Sequence, residues 1–330
     1  MERSAAIEED FSQRPLPRIL RTRRKGIPVR MVRWQVMITA VMALLLQVSA
    51  TRAAEHEIAY GEGRKIGELA NRAIDESSGL ACGRANKDVF WTHNDSGGTP
   101  QLYAFDRNGA DLAVVTVAGA RNRDWEDMAS FSYGGRNFLL VADVGDNRAK
   151  GRDYTLYIVP EPKLDAGKRS VALSVAPVQT IHFRYEDGPH NCESVAIDPM
   201  SRTIYLVSKV YGSKCTVYAV PWTERESSVS VAAGAVATID VPTATAMDIS
   251  PDGLRAVVLT YGDAFEFVRG HEETWEQGFS RPPRRIRMPE RVQGESICYG
   301  PDGKTLYLTS ESEDRNSGNP SPLLEVPVMR

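Results

Sequence analysis

A short pattern recurs five times along this chain: a polar residue, any residue, Glu or a substitute, a small residue, an apolar residue, and usually Ala. It reads Glu76-Ser-Ser78-Gly-Leu-Ala, Asp124-Trp-Glu126-Asp-Met-Ala, Asn191-Cys-Glu193-Ser-Val-Ala, Ala244-Thr245-Ala-Met-Asp248 and Gln293-Gly-Glu295-Ser-Ile-Cys. The key positions 78, 126, 193, 245 and 295 are separated by 48, 67, 52 and 50 residues. A unit of this length that repeats must bury its apolar faces against copies of itself, so the period points to a stacked or radial repeat architecture. The long interval predicts one insertion, in the second unit.

The flanks repeat with the motif. Six residues after the key position stand Pro199, Pro251 and Pro301, and two of these continue as Asp252-Gly253 and Asp302-Gly303. Asp-Gly after Pro is a turn signal, so these aspartates read as turn formers rather than ligands. An apolar strand follows in each unit (88–92, 137–143, 203–209, 255–261, 305–310), then a third (101–105, 154–159, 216–220, 264–268, 323–328). Four units show a fourth strand (113–117, 178–183, 235–241, 284–288). Val, Ile, Leu and Tyr dominate these runs, Gly, Pro, Asp and Asn bound them, and no amphipathic helix interrupts them. The last unit ends before its fourth strand, but 66–70 stands 12 residues before Ser78, just as Ile181 stands 12 before Glu193. The reading is an all-β fold, a β-propeller of five four-stranded blades closed by the N-terminal strand, which leaves few free edges.

The N-terminus reads differently. Arg14, Arg18, Arg21, Arg23, Arg24, Lys25, Arg30 and Arg33 precede an apolar run from Trp34 to Ala50, followed by small residues. Positive, apolar and small-residue regions in that order make a secretory signal peptide. The run of 17 residues falls short of the ~20 of a membrane-spanning helix, so no stable span is expected in the mature chain. The expected organisation is an unstructured or mis-assigned extension over 1–30, a signal peptide over 31–54 cleaved near Ala50–Ala54, and a single propeller domain over 55–330. Localisation is then periplasmic or extracellular. A net charge of −3 with 25% charged residues gives no reason to expect a nucleic-acid partner. Cys82, Cys192, Cys215 and Cys298 contain no C-x-x-C pair, which argues against a cysteine zinc site. Export permits disulfides. Cys192 and Cys215 are expected near each other at the rim of the third unit, with a bond between them open, while Cys82 and Cys298 are expected reduced and buried.

In a propeller the link into each inner strand and the loop after the second strand open on one face. Reading those positions around the ring brings Glu76, Asp124, Glu126, Asp127, Asn191, Glu193 and Glu295 to a rim. It adds the exits 93–98, 143–147, 208–209, 261–263 and 310–314, rich in Asp and Glu. Carboxylates converging on one rim repel each other unless a cation or protons relieve them. Hard oxygen ligands suit Ca²⁺, or Mg²⁺ with retained waters, with Asp95, Asp124, Glu126, Asp143, Asp146, Glu193 and Glu295 as candidate metal ligands and Ca²⁺ the expected ion. Glu126, Glu193, Glu295, Lys209 and His93 are the candidate catalytic groups. Lys209 either holds an anionic group or neutralises Glu193. Trp125, between two acids, either packs between blades or stacks on a ring-shaped ligand. No G-x-S-x-G, H-E-x-x-H or P-loop pattern occurs.

Asn94-Asp-Ser-Gly-Gly98, Asp124-Trp-Glu-Asp-Met128, Ala142-Asp-Val-Gly-Asp-Asn147, Ser250-Pro-Asp-Gly253 and Gln293-Gly-Glu-Ser296 resemble a family of exported bacterial propeller proteins. More distantly, the repeated acidic motif is similar to that of β-propeller phytases and their esterase-like relatives. That resemblance implies a propeller with calcium in an acidic mouth and hydrolysis of phosphate esters. The chain departs from it in reading as five blades rather than six and in offering few rim cations for a polyphosphate. Three functions follow: a metal-dependent hydrolase acting on a phosphate or other ester; a five-bladed glycosidase, for which the separations of Glu126, Glu193 and Glu295 are diagnostic; and a non-catalytic recognition module. The expected partner is a small-molecule, saccharide or phosphoester ligand on the central face.

Overall fold

The computed structural model describes residues 58–165, 167–224, 228–310 and 320–329. The expected extension and signal peptide lie outside the described residues, as do Glu311, Ser312, Glu313 and Asp314. Among the described residues no helix is long and apolar enough to cross a membrane.

The chain is nearly all β. The N-terminal strand is β1 (Arg64–Glu68). The first unit supplies β2 (Ser77–Cys82), β3 (Val89–Asn94), β4 (Gln101–Asp106) and β5 (Asp111–Val117). The second supplies β6 (Trp125–Tyr133), β7 (Arg136–Asp143), β8 (Tyr154–Pro160), β9 (Val171–Val175) and β10 (Gln179–Tyr185). The third has β11 (Cys192–Asp198), β12 (Thr203–Ser208), β13 (Cys215–Pro221) and β14 (Ser228–Ile239). The fourth has β15 (Ala244–Ile249), β16 (Arg255–Thr260), β17 (Ala264–Val268) and β18 (Arg284–Ile286), and the fifth β19 (Ser296–Tyr299), β20 (Leu306–Thr309) and β21 (Pro322–Val326). One short helix the sequence did not signal, α1 (Trp275–Phe279), fills the link between β17 and β18 behind a Thr274/Gln277 capping box. It exists because Trp275 and Phe279 bury against Phe267 and Tyr205.

Hydrogen bonding groups these strands into four sheets rather than five equal ones. The orders are β1-β21-β20-β19, β11-β12-β13-β14-β10-β8-β7-β6, β15-β16-β17-β18 and β2-β3-β4-β5-β9. Two parallel pairings create the larger sheets. The 12-residue β14 pairs its first half with β10 in parallel and its second half with β13, joining the second and third units. The insertion expected in the second unit contains β9, which crosses to the first unit and pairs in parallel with β5. At the other end, β1 pairs antiparallel with β21, and Tyr60 bridges Val328 beyond it.

The inner strands touch in the closed order β2, β6, β11, β15, β19 and back to β2. Apolar burial follows the same order. Five buried clusters each draw on consecutive units: Trp91 with Val141, Phe138 with Tyr218, Val217 with Val258, Leu259 with Leu306, and Phe90 with Tyr307. This is a β-propeller-like ring in which each unit buries an apolar face against its neighbour. The inner strands β2, β11 and β15 are therefore buried along their whole length, and β6 is buried up to Phe131.

The Asp-Gly turns behave as expected: Asp252 accepts from Leu254 N and Asp302 from Lys304 and Thr305 N. All four cysteines are buried and free. Cys192 faces Ser208 on β12, and β12 separates β11 from β13, which carries Cys215. Strands two places apart are roughly 9–10 Å from each other, beyond the reach of a disulfide.

Candidate functional site

The repeated motif is the site of a β-bulge. The register of the inner strand slips against its neighbour between Ser78 and Leu80, Trp125 and Asp127, Cys192 and Val195, and Ala244 and Ala246. The extra residue in each bends the strand and re-aims the side chains around it. Backbone groups freed from the ladder bond across units. Ser78 Oγ donates to Glu126 O at 2.5 Å, Thr245 Oγ1 to Gly294 O at 2.6 Å, and Gly79 N to Glu295 O at 3.4 Å. Gly79, at φ 71, is required here, because a Cβ would meet His93 Nε2 and Met128 N at under 3 Å.

The bulge at Glu126 turns that carboxylate toward Asp124 at the start of β6 and Asp95 at the exit of β3. One carboxylate oxygen from each of the three lies within 4.8 Å of the others. Glu126 is buried and the two aspartates are half-buried. Asn122 Nδ2 donates to Asp95 O at 2.7 Å, and Asp124 N donates to Asp143 Oδ1 at 2.9 Å, so the backbones carrying the cluster are held. The close approach of Gly145 makes room for it, since a Cβ there would overlap Glu126 Oε1 and Asp124 Oδ2.

Electrostatics reflect the crowding. Burial, then the charges of Glu193, Asp95 and Asp124, push the Glu126 carboxyl well above its usual range. Burial and the Asp124 charge raise Asp95 to about 6, and burial raises Asp124. Glu193, from the bulge of β11, pairs with Lys209 at the end of β12. Burial lifts it to about 7 against the pull of that lysine. Lys209 also donates to Tyr261 OH at 2.6 Å, and Asn191 Nδ2 donates to Glu193 Oε1 at 3.3 Å. Glu295 accepts from Gln293 Nε2 at 2.7 Å.

Of the residues singled out from sequence, Asp95, Asp124 and Glu126 form the cluster, and Glu193, through its charge on Glu126, adjoins it. Asp143 supports the cluster through the Asp124 backbone. Asp146 turns to its own loop, accepting from Gly151 N at 2.6 Å and Tyr154 OH at 2.9 Å. His93 is in the core rather than at the rim: it is fully buried, edge-on to Trp125 at 5.5 Å, and burial lowers it to about 4, so the ring is neutral. Trp125 is likewise fully buried and packs against Tyr157 at 6.1 Å. Asp127, grouped with the rim acids, points inward: Oδ1 accepts from Met128 N at 2.8 Å, and Oδ2 from Val195 N at 2.8 Å and Met247 N at 3.0 Å. It ties inner strands of three units together. Asp248 does the same on a smaller scale, accepting from Ile249 N and Tyr299 N, each at 2.8 Å. Gly145 and Tyr261, in loops expected at the rim, take specific parts there: Gly145 packs against the cluster and Tyr261 accepts from Lys209. Gly145 carried a signal, since a glycine next to Asp146 and two residues from Asp143 invites close approach.

The carboxylate set is hard, anionic and oxygen-only, which suits a group-2 cation. An ion about 2.4 Å from each oxygen would fit between donors separated by up to about twice that distance.

No protein-family model matches the chain, and none of the curated proteins does. Among solved structures, it is similar to a gluconolactonase from Xanthomonas campestris, at 10% identity and a TM-score of 0.44 over 81% of this chain and 89% of that one. It is also similar to an auxiliary nutrient binding protein from Bacteroides thetaiotaomicron, at 10% identity and a TM-score of 0.44 over 81% and 76%.

Proposed function

We propose that the protein is an exported, five-bladed propeller that binds Ca²⁺ at the Asp95–Asp124–Glu126 cluster and hydrolyses an ester there. The blade count is supported by the five inner strands in closed contact and by β1 completing the sheet of the fifth unit. The observation that carries the metal is the approach of three carboxylate oxygens to within 4.8 Å beside a glycine that leaves them room. Three crowded, partly desolvated carboxylates are costly unless a cation or protons offset them.

When bound, the ion would polarise the substrate oxygen and acidify a water. The chain's own residues supply the proton handling. Glu193, with its proton affinity raised to about 7, is matched to general-base work near neutral pH. Lys209 and Asn191 orient its two oxygens. Because Lys209 is already committed to Glu193 and Tyr261, the mouth favours a neutral ester over a polyphosphate.

A panel of ester and phosphoester substrates, run with millimolar Ca²⁺ and with chelator, tests the reading. Turnover that needs Ca²⁺ and falls about 100-fold or more in Glu193→Gln, while Ca²⁺ binding persists, is the expected outcome. Calcium binding without turnover on any substrate would leave a recognition module instead.

A further inference from the structure

We propose that a groove beside the mouth, between the third and fourth units, is a carbohydrate subsite that needs no metal. Its walls are the β14–β15 link at Pro242 and Thr243, the β16–β17 turn at Tyr261 and Asp263, and the cross-strand pair Phe265 and Arg285. It is a shallow, open groove of about 370 Å³, at the small end of the range of small-ligand clefts.

Three features make it a built surface rather than a gap. Tyr261 is 40% exposed, yet Lys209 Nζ holds its hydroxyl at 2.6 Å, so the ring is a fixed plate. Thr243 sits at φ 49, a left-handed conformation that a β-branched residue adopts only when its surroundings impose it. Its hydroxyl donates to Val210 O at 3.2 Å, which ties the groove to the turn bearing Tyr211, an aromatic 88% exposed. Finally, Asp263 and Arg285 stand paired at the edge of the plate, Arg285 Nε donating to Asp263 Oδ2 while Asp263 Oδ1 accepts from Met288 N at 3.2 Å.

The chemistry selects the ligand. An aromatic plate attracts an apolar face, and a carboxylate beside a guanidinium offers acceptor and donor to neighbouring hydroxyls. A pyranose has both, with C–H groups on its face and vicinal hydroxyls at its edge. Asp263 already counters the charge of Arg285, which disfavours a simple anion. The paired charges at the rim disfavour an acyl chain.

The test is a glycan array probed with the intact mature protein in chelator, followed by calorimetry with the best-retained glycan. Retention is expected, with affinity falling more than about tenfold in Tyr261→Ala and in Arg285→Ala. Tyr261→Phe keeps the aromatic face but loses the Lys209 tether, so its affinity should fall between the parent and Tyr261→Ala. Arg285 is a surface residue, so its variant reports on binding even where Tyr261→Ala disturbs the turn. Glu126→Gln should leave glycan affinity unchanged, so this proposal and the metal reading fail separately. No retained glycan, equal affinity in Tyr261→Ala and Arg285→Ala, or binding that requires Ca²⁺ overturns the subsite.

Discussion

Asp127 is the side chain on which most converges. Its carboxylate is fully buried and accepts N–H groups from β6, β11 and β15. Removing it strands three buried donors, each costing about 1–3 kcal/mol. Asp127→Ala should therefore destabilise by more than about 3 kcal/mol, read as a shift in the urea midpoint, while Asp127→Asn should cost less because one acceptor survives. His93 provides a pH signature. Burial lowers it from 6.5 to about 4, so the unfolded chain binds the extra proton between those values. Its contribution is full above pH 6.5 and is lost as pH falls toward 4. The stability advantage of the parent over His93→Phe should shrink by on the order of 3 kcal/mol across that window. A gap that stays constant with pH would mean the imidazole binds its proton equally well in the folded and unfolded chain. At this scale the sequence revealed which positions carry acids, but not their direction. Glu126 and Asp127 are neighbours, and only the bulge decides which one faces the mouth and which faces the ring. A bulge is a property of cross-strand register, which no single strand's composition records.

Among elements, the closing strand was legible because the fifth unit lacked one. β1 covers the outer edge of β21, and Arg64 reaches the buried Glu325, which also pairs with Arg107 of the first unit. Deleting residues 55–71 should expose that edge and lower the melting temperature by several degrees or more. An unchanged midpoint would contradict the closure. The parallel pairings β5–β9 and β10–β14 were not legible. Val171–Val175 lies in the insertion, where the repeat has no counterpart, and the first half of β14 alternates Ser, Val and Ala without a partner identifiable in sequence. Local patterning finds a strand, but its partner is set by tertiary packing. The small helix α1 was missed for the same reason, since its five residues depend on burying Trp275 and Phe279 rather than on helix propensity.

For the whole molecule, the five-fold period was sufficient to infer a ring, because every unit needs neighbours on both sides to bury its apolar faces. The ring then makes the acid cluster possible, since Asp95 comes from one unit and Asp124 and Glu126 from the next. The central claim is that this cluster holds a divalent cation, and isothermal titration of metal-free protein with Ca²⁺, paired with thermal melts, tests it most directly. One strong site is expected, with a melting midpoint that rises with Ca²⁺ by mass action and returns with chelator. Glu126→Gln should lose both effects while keeping the parent's metal-free midpoint or exceeding it, because a buried charge is removed. No heat of binding, together with identical midpoints in millimolar Ca²⁺ and in chelator, would contradict the account.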